Sequence, residues 1–140
     1  MVDMPSYSDK SSSKLSTCHP DLQRIFGFVI SFFDHSIIEG HRGQEAQDRF
    51  FAEGKSKVKF PNGKHNSYPS MAVDAAPWPI DWRDRERFSL FAGVVIGVAE
   101  YLYACGEIEH LVRWGGDWDM DTEVVDNSFD DLPHFELYRP

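Results

Sequence analysis

The stretch FSLFAGVVIGVAEYLYAC, residues 88–105, decides the class of fold. It is apolar enough to suggest a membrane span, and Gly93 and Gly97 stand in the GxxxG spacing of packed membrane helices. Its eighteen residues barely reach across a bilayer, and they include Ser89, Glu100, Tyr101 and Tyr103. The better reading is the core helix of a globular domain, crossed closely by another element at its two glycines. Gly106 follows where a C-terminal cap belongs, and the helix is expected over residues 84–104.

Shorter elements lie on either side. Pro20 and Asp21 read as a helical first turn, followed by Leu22, Ile25, Phe26, Val29, Ile30 and Phe33 at helical spacing. Residues 37–39 suit a short strand ended by Gly40, and residues 43–52 suit a helix ended by Gly54. Residues 55–70 are polar and loop-like, with Pro61, Asn62 and Gly63 forming a turn signal. Strands are expected at 72–74, 108–114 and 134–137, with an acidic loop over 115–131. Residues 1–16, polar and Ser-rich, read as an extended arm; residues 17–140 read as one domain. Helices and strands do not alternate regularly, so the fold class is α+β.

The chain of 140 residues is 41% hydrophobic and 14% aromatic, enough for a single buried core. Its net charge of −9 argues against nucleic acid as a partner and against a basic membrane anchor. Cys18 and Cys105 form no CxxC pair and read as two unpaired, largely buried thiols. Residues 1–17 contain no apolar stretch of the kind found in a signal peptide, so synthesis and residence in the cytoplasm are expected.

Chemistry points to His65, Asp74, Asp131 and His134. Hydrolytic zinc takes three nitrogen or oxygen side-chain ligands and leaves one position open. His65, Asp74 and His134 supply two imidazoles and a carboxylate, and Asp131 remains as a base. Asp74 lies among Met71, Ala72, Val73, Ala75 and Ala76, where a bare carboxylate is costly unless something neutralises it. A metal would do so, and so would an arginine or backbone N–H groups. Asp117, Asp119 and Asp121 alternate like the start of a calcium loop, with Glu123 and Asp126 beyond. Thr122 and Ser128 stand where an EF-hand needs Gly and Glu, so this is no EF-hand. Among the other histidines, His19, His35 and His110 read as structural.

Six ordered segments carry a resemblance: EGHR at 39–42, QEAQ at 44–47, GKSK at 54–57, HNSYPSMAVD at 65–74, RWGGDW at 113–118 and DLPHFE at 131–136. Together they resemble the zinc peptidase family of D-alanyl-D-alanine carboxypeptidases, vancomycin-resistance (VanY-like) dipeptidases and phage L-alanyl–D-glutamate endopeptidases. The opening around His19, Pro20, Asp21 and Leu22 is also similar to phage members. The resemblance implies a small zinc peptidase of the Hedgehog/DD-peptidase type, with helices packed on a small antiparallel sheet.

Position by position, it implies that His65, Asp74 and His134 bind one zinc ion. Asp131 falls at the catalytic carboxylate, where Asp is similar to the phage enzymes, and Arg42 at the arginine facing the developing oxyanion. Gln47, Trp114 and Trp78 are candidates for substrate contact, with Trp118 as a further cleft aromatic. The loop between His65 and Asp74 is longer than the family's usual spacing, and Gly63 and Lys64 stand where a Ser-x-His pattern is often seen. The implied function is a phage endolysin-like metallopeptidase that cuts peptidoglycan stems during host lysis. The alternatives are a D-alanyl-D-alanine carboxypeptidase and a non-catalytic zinc-binding module. A monomer reaching the wall from the host cytoplasm through a holin completes the expectation, with Asp117, Asp119 and Asp121 forming either a solvated acidic loop or a site for calcium as a second ion.

Overall fold

A computed structural model describes residues 4–124 and 130–140. In chain order it contains α1 (Asp9–Leu15), α2 (Pro20–Phe32), β1 (His35–Glu39), α3 (Gln44–Ala52), β2 (Ala72–Pro77), α4 (Arg85–Ala104), β3 (Leu111–Trp114) and β4 (His134–Tyr138). The strands form one antiparallel sheet in the order β1-β2-β4-β3. This is the α+β arrangement expected, with helices packed on a small antiparallel sheet.

Alternation along the strands gives the sheet two unlike faces. Val73 and Ala75 of β2 and Phe135 and Leu137 of β4 join Leu22, Ile25, Phe26 and Val29 of α2 in the core. Phe91, Val95, Ala99 and Leu102 of α4 complete it. The intervening positions, Asp74 on β2 and His134 and Glu136 on β4, carry polar groups away from that core. Register aligns them: Asp74 pairs with Glu39 on one side and His134 on the other, and Glu136 pairs with Arg113. All four strands therefore deliver one row of ionisable side chains.

Helix ends follow local chemistry. The Asp84 carboxylate accepts the Arg87 N–H to cap α4, and Gly106 closes it at φ 76°, a conformation costly for other residues. His19 caps α2 through its ring, ahead of Pro20 in the first turn.

Three expectations need correction. The N-terminal arm is helical from Asp9: Ser8 caps α1, Leu15 enters the core and the Ser11 hydroxyl accepts the Ile37 N–H. The Tyr7 hydroxyl reaches the sheet as well, 2.8 Å from the Phe26 carbonyl oxygen and 2.5 Å from His35 Nε2. Helix α4 is a core helix on one face only. Among the described residues beyond the adjoining helix backbone, nothing lies within 4 Å of a Cβ built at Gly93 or Gly97, which line an open groove with Phe28 and Phe32. The glycines are thus not crossed closely; α4 instead gives Phe91, Val95, Ala99 and Leu102 to the core. Both cysteines are unpaired, but only Cys18 is buried; Cys105 is exposed at the end of α4.

Candidate active site

The polar row of the sheet opens into a cleft of about 510 Å³. Its lining includes Glu39, Arg42, His65, Asp74, Arg113, Trp118, Asp131, His134 and Glu136. The structure brings His65, Asp74 and His134 together, with their ligand atoms within 4.8 Å of one another. His65 Nε2 stands 3.2 Å from Asp74 Oδ1, and His134 Nδ1 stands 3.3 Å from the same oxygen. Each ring is held at its other nitrogen: His65 Nδ1–H donates to the Gly40 carbonyl at 2.7 Å, and His134 Nε2–H donates to Glu136 at 2.9 Å. The nitrogens left over converge on one carboxylate oxygen.

Electrostatics reflect this crowding. Burial opposes ionisation of Asp74, but the charges and hydrogen bonds of His65 and His134 hold it well below the usual carboxylate range. Burial also opposes protonation of His134, yet hydrogen bonds to Asp74 and Glu136 raise it to about 9. Asp131 lies 3.9 Å from His134 Nδ1. Its pKa is raised by burial and by the neighbouring Asp74 charge.

Asp131 owes its position to a backbone staple. Its N–H donates to the Gly115 carbonyl, the Gly115 N–H donates to the His134 carbonyl, and the His134 N–H donates to the Asp131 carbonyl. A Cβ at residue 115 would collide with the Asp131 backbone, so only glycine permits the approach.

Arg42 is buried beside the row. It donates to Glu39 at 2.6 Å and to Gln47 at 2.9 Å, lies 3.7 Å from Asp74 and stacks on Phe50 at 4.5 Å. Its Nε lacks a partner among the described residues. Gln47, a candidate for substrate contact, lines the cleft with its side chain bonded into the scaffold. Its oxygen accepts from Arg42 and Asn66, and its amide donates to Ser56 and to the Val58 carbonyl. It therefore ties the 55–64 wall of the cleft to α3.

The tryptophan expectations change in the same way. Trp114 is 3% exposed and its Nε1–H donates to the Leu132 carbonyl, so it braces the turn before His134 from below. Trp78 is exposed on the surface and does not line the cleft. Trp118 does, with its ring 5.4 Å from that of His134. Glu136 was not among the candidates, although its signal was available: on a strand, the residue two after His134 shares its face.

In the acidic loop, Asp117, Asp119 and Asp121 bring their oxygens within 4.8 Å of one another. Asp117 accepts the N–H groups of Asp121 and Thr122. Burial and the neighbouring Asp121 and Asp119 raise its pKa. Asp126 and Ser128 lie outside the described residues.

A family profile, phage L-alanyl-D-glutamate peptidase, matches residues 4–138. Among solved structures, the Serratia marcescens L-Ala D-Glu endopeptidase ChiX is similar, with 26% identity and a TM-score of 0.72. The match covers 94% of this chain and 89% of that one. No curated protein matches the chain.

Proposed function

Since the chain belongs to the phage L-alanyl-D-glutamate peptidase family, and is thereby a peptidoglycan peptidase, we propose that the cleft is a zinc site that hydrolyses the L-alanyl–D-glutamate bond of peptide stems during host lysis. The observation that carries this reading is the convergence of His65 Nε2 and His134 Nδ1 on Asp74, with Asp131 beside them.

The donor set fits zinc: two imidazole nitrogens and one carboxylate oxygen, the ligand chemistry of hydrolytic sites. His65, Asp74 and His134 would hold the ion. The chemistry it supplies when bound is Lewis acidity toward the scissile carbonyl and toward water. Asp131 accepts the proton of the attacking water and passes it to the departing amine, for which its raised affinity suits it. Arg42, fixed by Glu39, Gln47 and Phe50, stabilises the carbonyl oxygen as charge grows on it, an effect worth roughly 3 kcal/mol. Trp118 offers an apolar wall to the stem peptide.

We propose further parts of this reading. The enzyme acts as a monomer on stems reached from the host cytoplasm, with a holin opening the membrane. Calcium at Asp117, Asp119 and Asp121 would relieve their mutual repulsion and order the loop that leads to Asp131. A calcium titration that moves neither melting temperature nor activity removes that part.

Product analysis on purified muramyl stem peptides tests the main reading. Wild type is expected to leave L-alanine on the sugar side and expose a new D-glutamate amino terminus. Asp131→Asn, at matched zinc content, is expected to be slower by about 10²–10⁴-fold. Release of free D-alanine would instead identify a carboxypeptidase. Equal rates for the two proteins would remove Asp131 from the mechanism.

A further inference from the structure

The two histidines of the cluster are held differently. His65 presents Nε2 and rests its Nδ1–H on a backbone carbonyl; His134 presents Nδ1 and rests its Nε2–H on a carboxylate. That carboxylate is built into the sheet. Glu136 follows His134 by two residues on β4, so strand alternation puts both on one face. Arg113, its cross-strand partner on β3, donates to Glu136 Oε2 at 2.8 Å, while Oε1 takes the His134 proton. Glu136 is 6% exposed and both its oxygens are engaged. The Arg113 guanidinium also lies 5.3 Å from the centre of the Trp118 ring, which in turn flanks the His134 ring. His134 is therefore held at one edge and one face by groups that Arg113 joins.

Resting on the zinc reading above, we propose that Glu136 and Arg113 are positioning residues that fix which nitrogen of His134 meets the metal. An imidazole that coordinates through Nδ1 keeps its proton on Nε2 and needs an acceptor there. A carboxylate can only accept, and a charged acceptor also strengthens the imidazole as a donor to the metal. Arg113 prevents Glu136 from swinging into the cation site, because it holds the second oxygen on the far side.

The arrangement makes an unusual prediction for Glu136→Gln. Arg113 has only donors, so it claims the new amide oxygen and turns the amide NH₂ toward His134 Nε2. Two donors then face each other, and the nitrogen that should meet the metal is no longer specified. Removing those donors with Arg113→Met frees the amide to turn its oxygen to His134. The double variant should therefore bind zinc better than Glu136→Gln alone.

The test is zinc affinity by chelator competition for wild type, Glu136→Gln, Arg113→Met and the double variant, alongside the metal-free melting temperature of each. Glu136→Gln is expected to lose about 10–100-fold in affinity, and the double variant to recover at least about a third of that loss on a logarithmic scale. A role in folding alone would make affinity follow the metal-free melting temperature, with the double variant worst on both. If Glu136→Gln does not fold, Glu136→Asp keeps the charge, shortens the reach and is expected to lose affinity in the folded protein. Wild-type affinity in Glu136→Gln or Glu136→Asp, or a double variant weaker than Glu136→Gln, overturns the proposal. Absence of zinc binding by wild type itself would overturn the zinc reading and this inference with it.

Discussion

His19, Asp21 and His110 form one group and His65, Asp74 and His134 another; the composition is the same, and each group holds its ligand atoms within 4.8 Å. They differ in where their lone pairs and protons go. In the first, His19 Nδ1 accepts the Asp21 N–H, while Asp21 Oδ2 accepts the Glu109 N–H at 3.0 Å and the His110 Nδ1–H at 2.7 Å. The rings pack edge to face at 4.9 Å. The His19 bond caps α2, and the two bonds to Asp21 Oδ2 join the start of α2 to the approach of β3. In the second group the bonds that serve the fold are made at the outer nitrogens, and the inner atoms face one another across the wall of a cleft. Proximity and residue type do not separate the two groups; the direction of the remaining lone pairs does.

Exchanging the groups' fates is the strongest way to break this contrast. His134→Ala is expected to lose stem-peptide hydrolysis by at least about a thousandfold and to lose tight zinc binding. His110→Ala is expected to keep both while melting at lower temperature. Zinc content by atomic emission and hydrolysis rates, measured on the same preparations, decide it; equal zinc loss in the two variants would erase the distinction. A smaller effect sharpens the structural side. Asp21→Asn leaves His110 and the Glu109 N–H with a poorer partner and should cost about 1–3 kcal/mol in denaturant unfolding, with no change in zinc affinity.

The smallest effect is in acid. Burial pushes the Asp21 carboxyl up, but the His110 hydrogen bond and the Glu109 N–H win and hold it below its ordinary value. A depressed carboxylate stabilises the fold fully above its unfolded pKa of about 3.9 and loses that contribution as pH falls through the folded pKa. The gap in stability between wild type and Asp21→Asn should therefore be constant above about pH 5 and close below about pH 4. A gap that persists unchanged to pH 2.5, about a unit and a half below the unfolded value, would show that Asp21 acts by shape and not by charge.

Much of this was legible in the residues because local signals and the final packing agree. Apolar periodicity marked α2 and α4, and short β-prone runs marked β2 and β4 with Asp74 and His134 on them. What escaped depends on distant partners. The Ser-rich segment before Leu15 looks like an arm because serine is a modest helix former; it becomes α1 because Leu15 enters the core and Ser11 serves Ile37. Gln47 and Trp114 stand inside motifs that suggested substrate contact. Their polar atoms are taken by Arg42, Asn66, the 56–58 segment and Leu132, partners no spacing rule reveals. Trp118, four residues beyond Trp114, takes the place in the cleft. Glu136 needed only the strand period, and Arg113 needed the register between β3 and β4, which tertiary structure alone provides.

The staple between Gly115 and the Asp131–His134 turn has a consequence for engineering. Gly115 is tied to Asp131 and to His134 by two backbone hydrogen bonds, so the two ends of the intervening sequence share one fixed anchorage. With Trp118 kept beside His134 and Asp117 to Asp121 left in place, segments grafted between Thr122 and Asp130 should therefore be exchangeable, in length and in charge, without disturbing Asp131 or His134. A graft boundary at Gly115 or Asp131 would cut the anchorage itself, whereas boundaries at Thr122 and Asp130 spare it. Loop libraries meant to redirect this enzyme toward other walls have their natural splice points there.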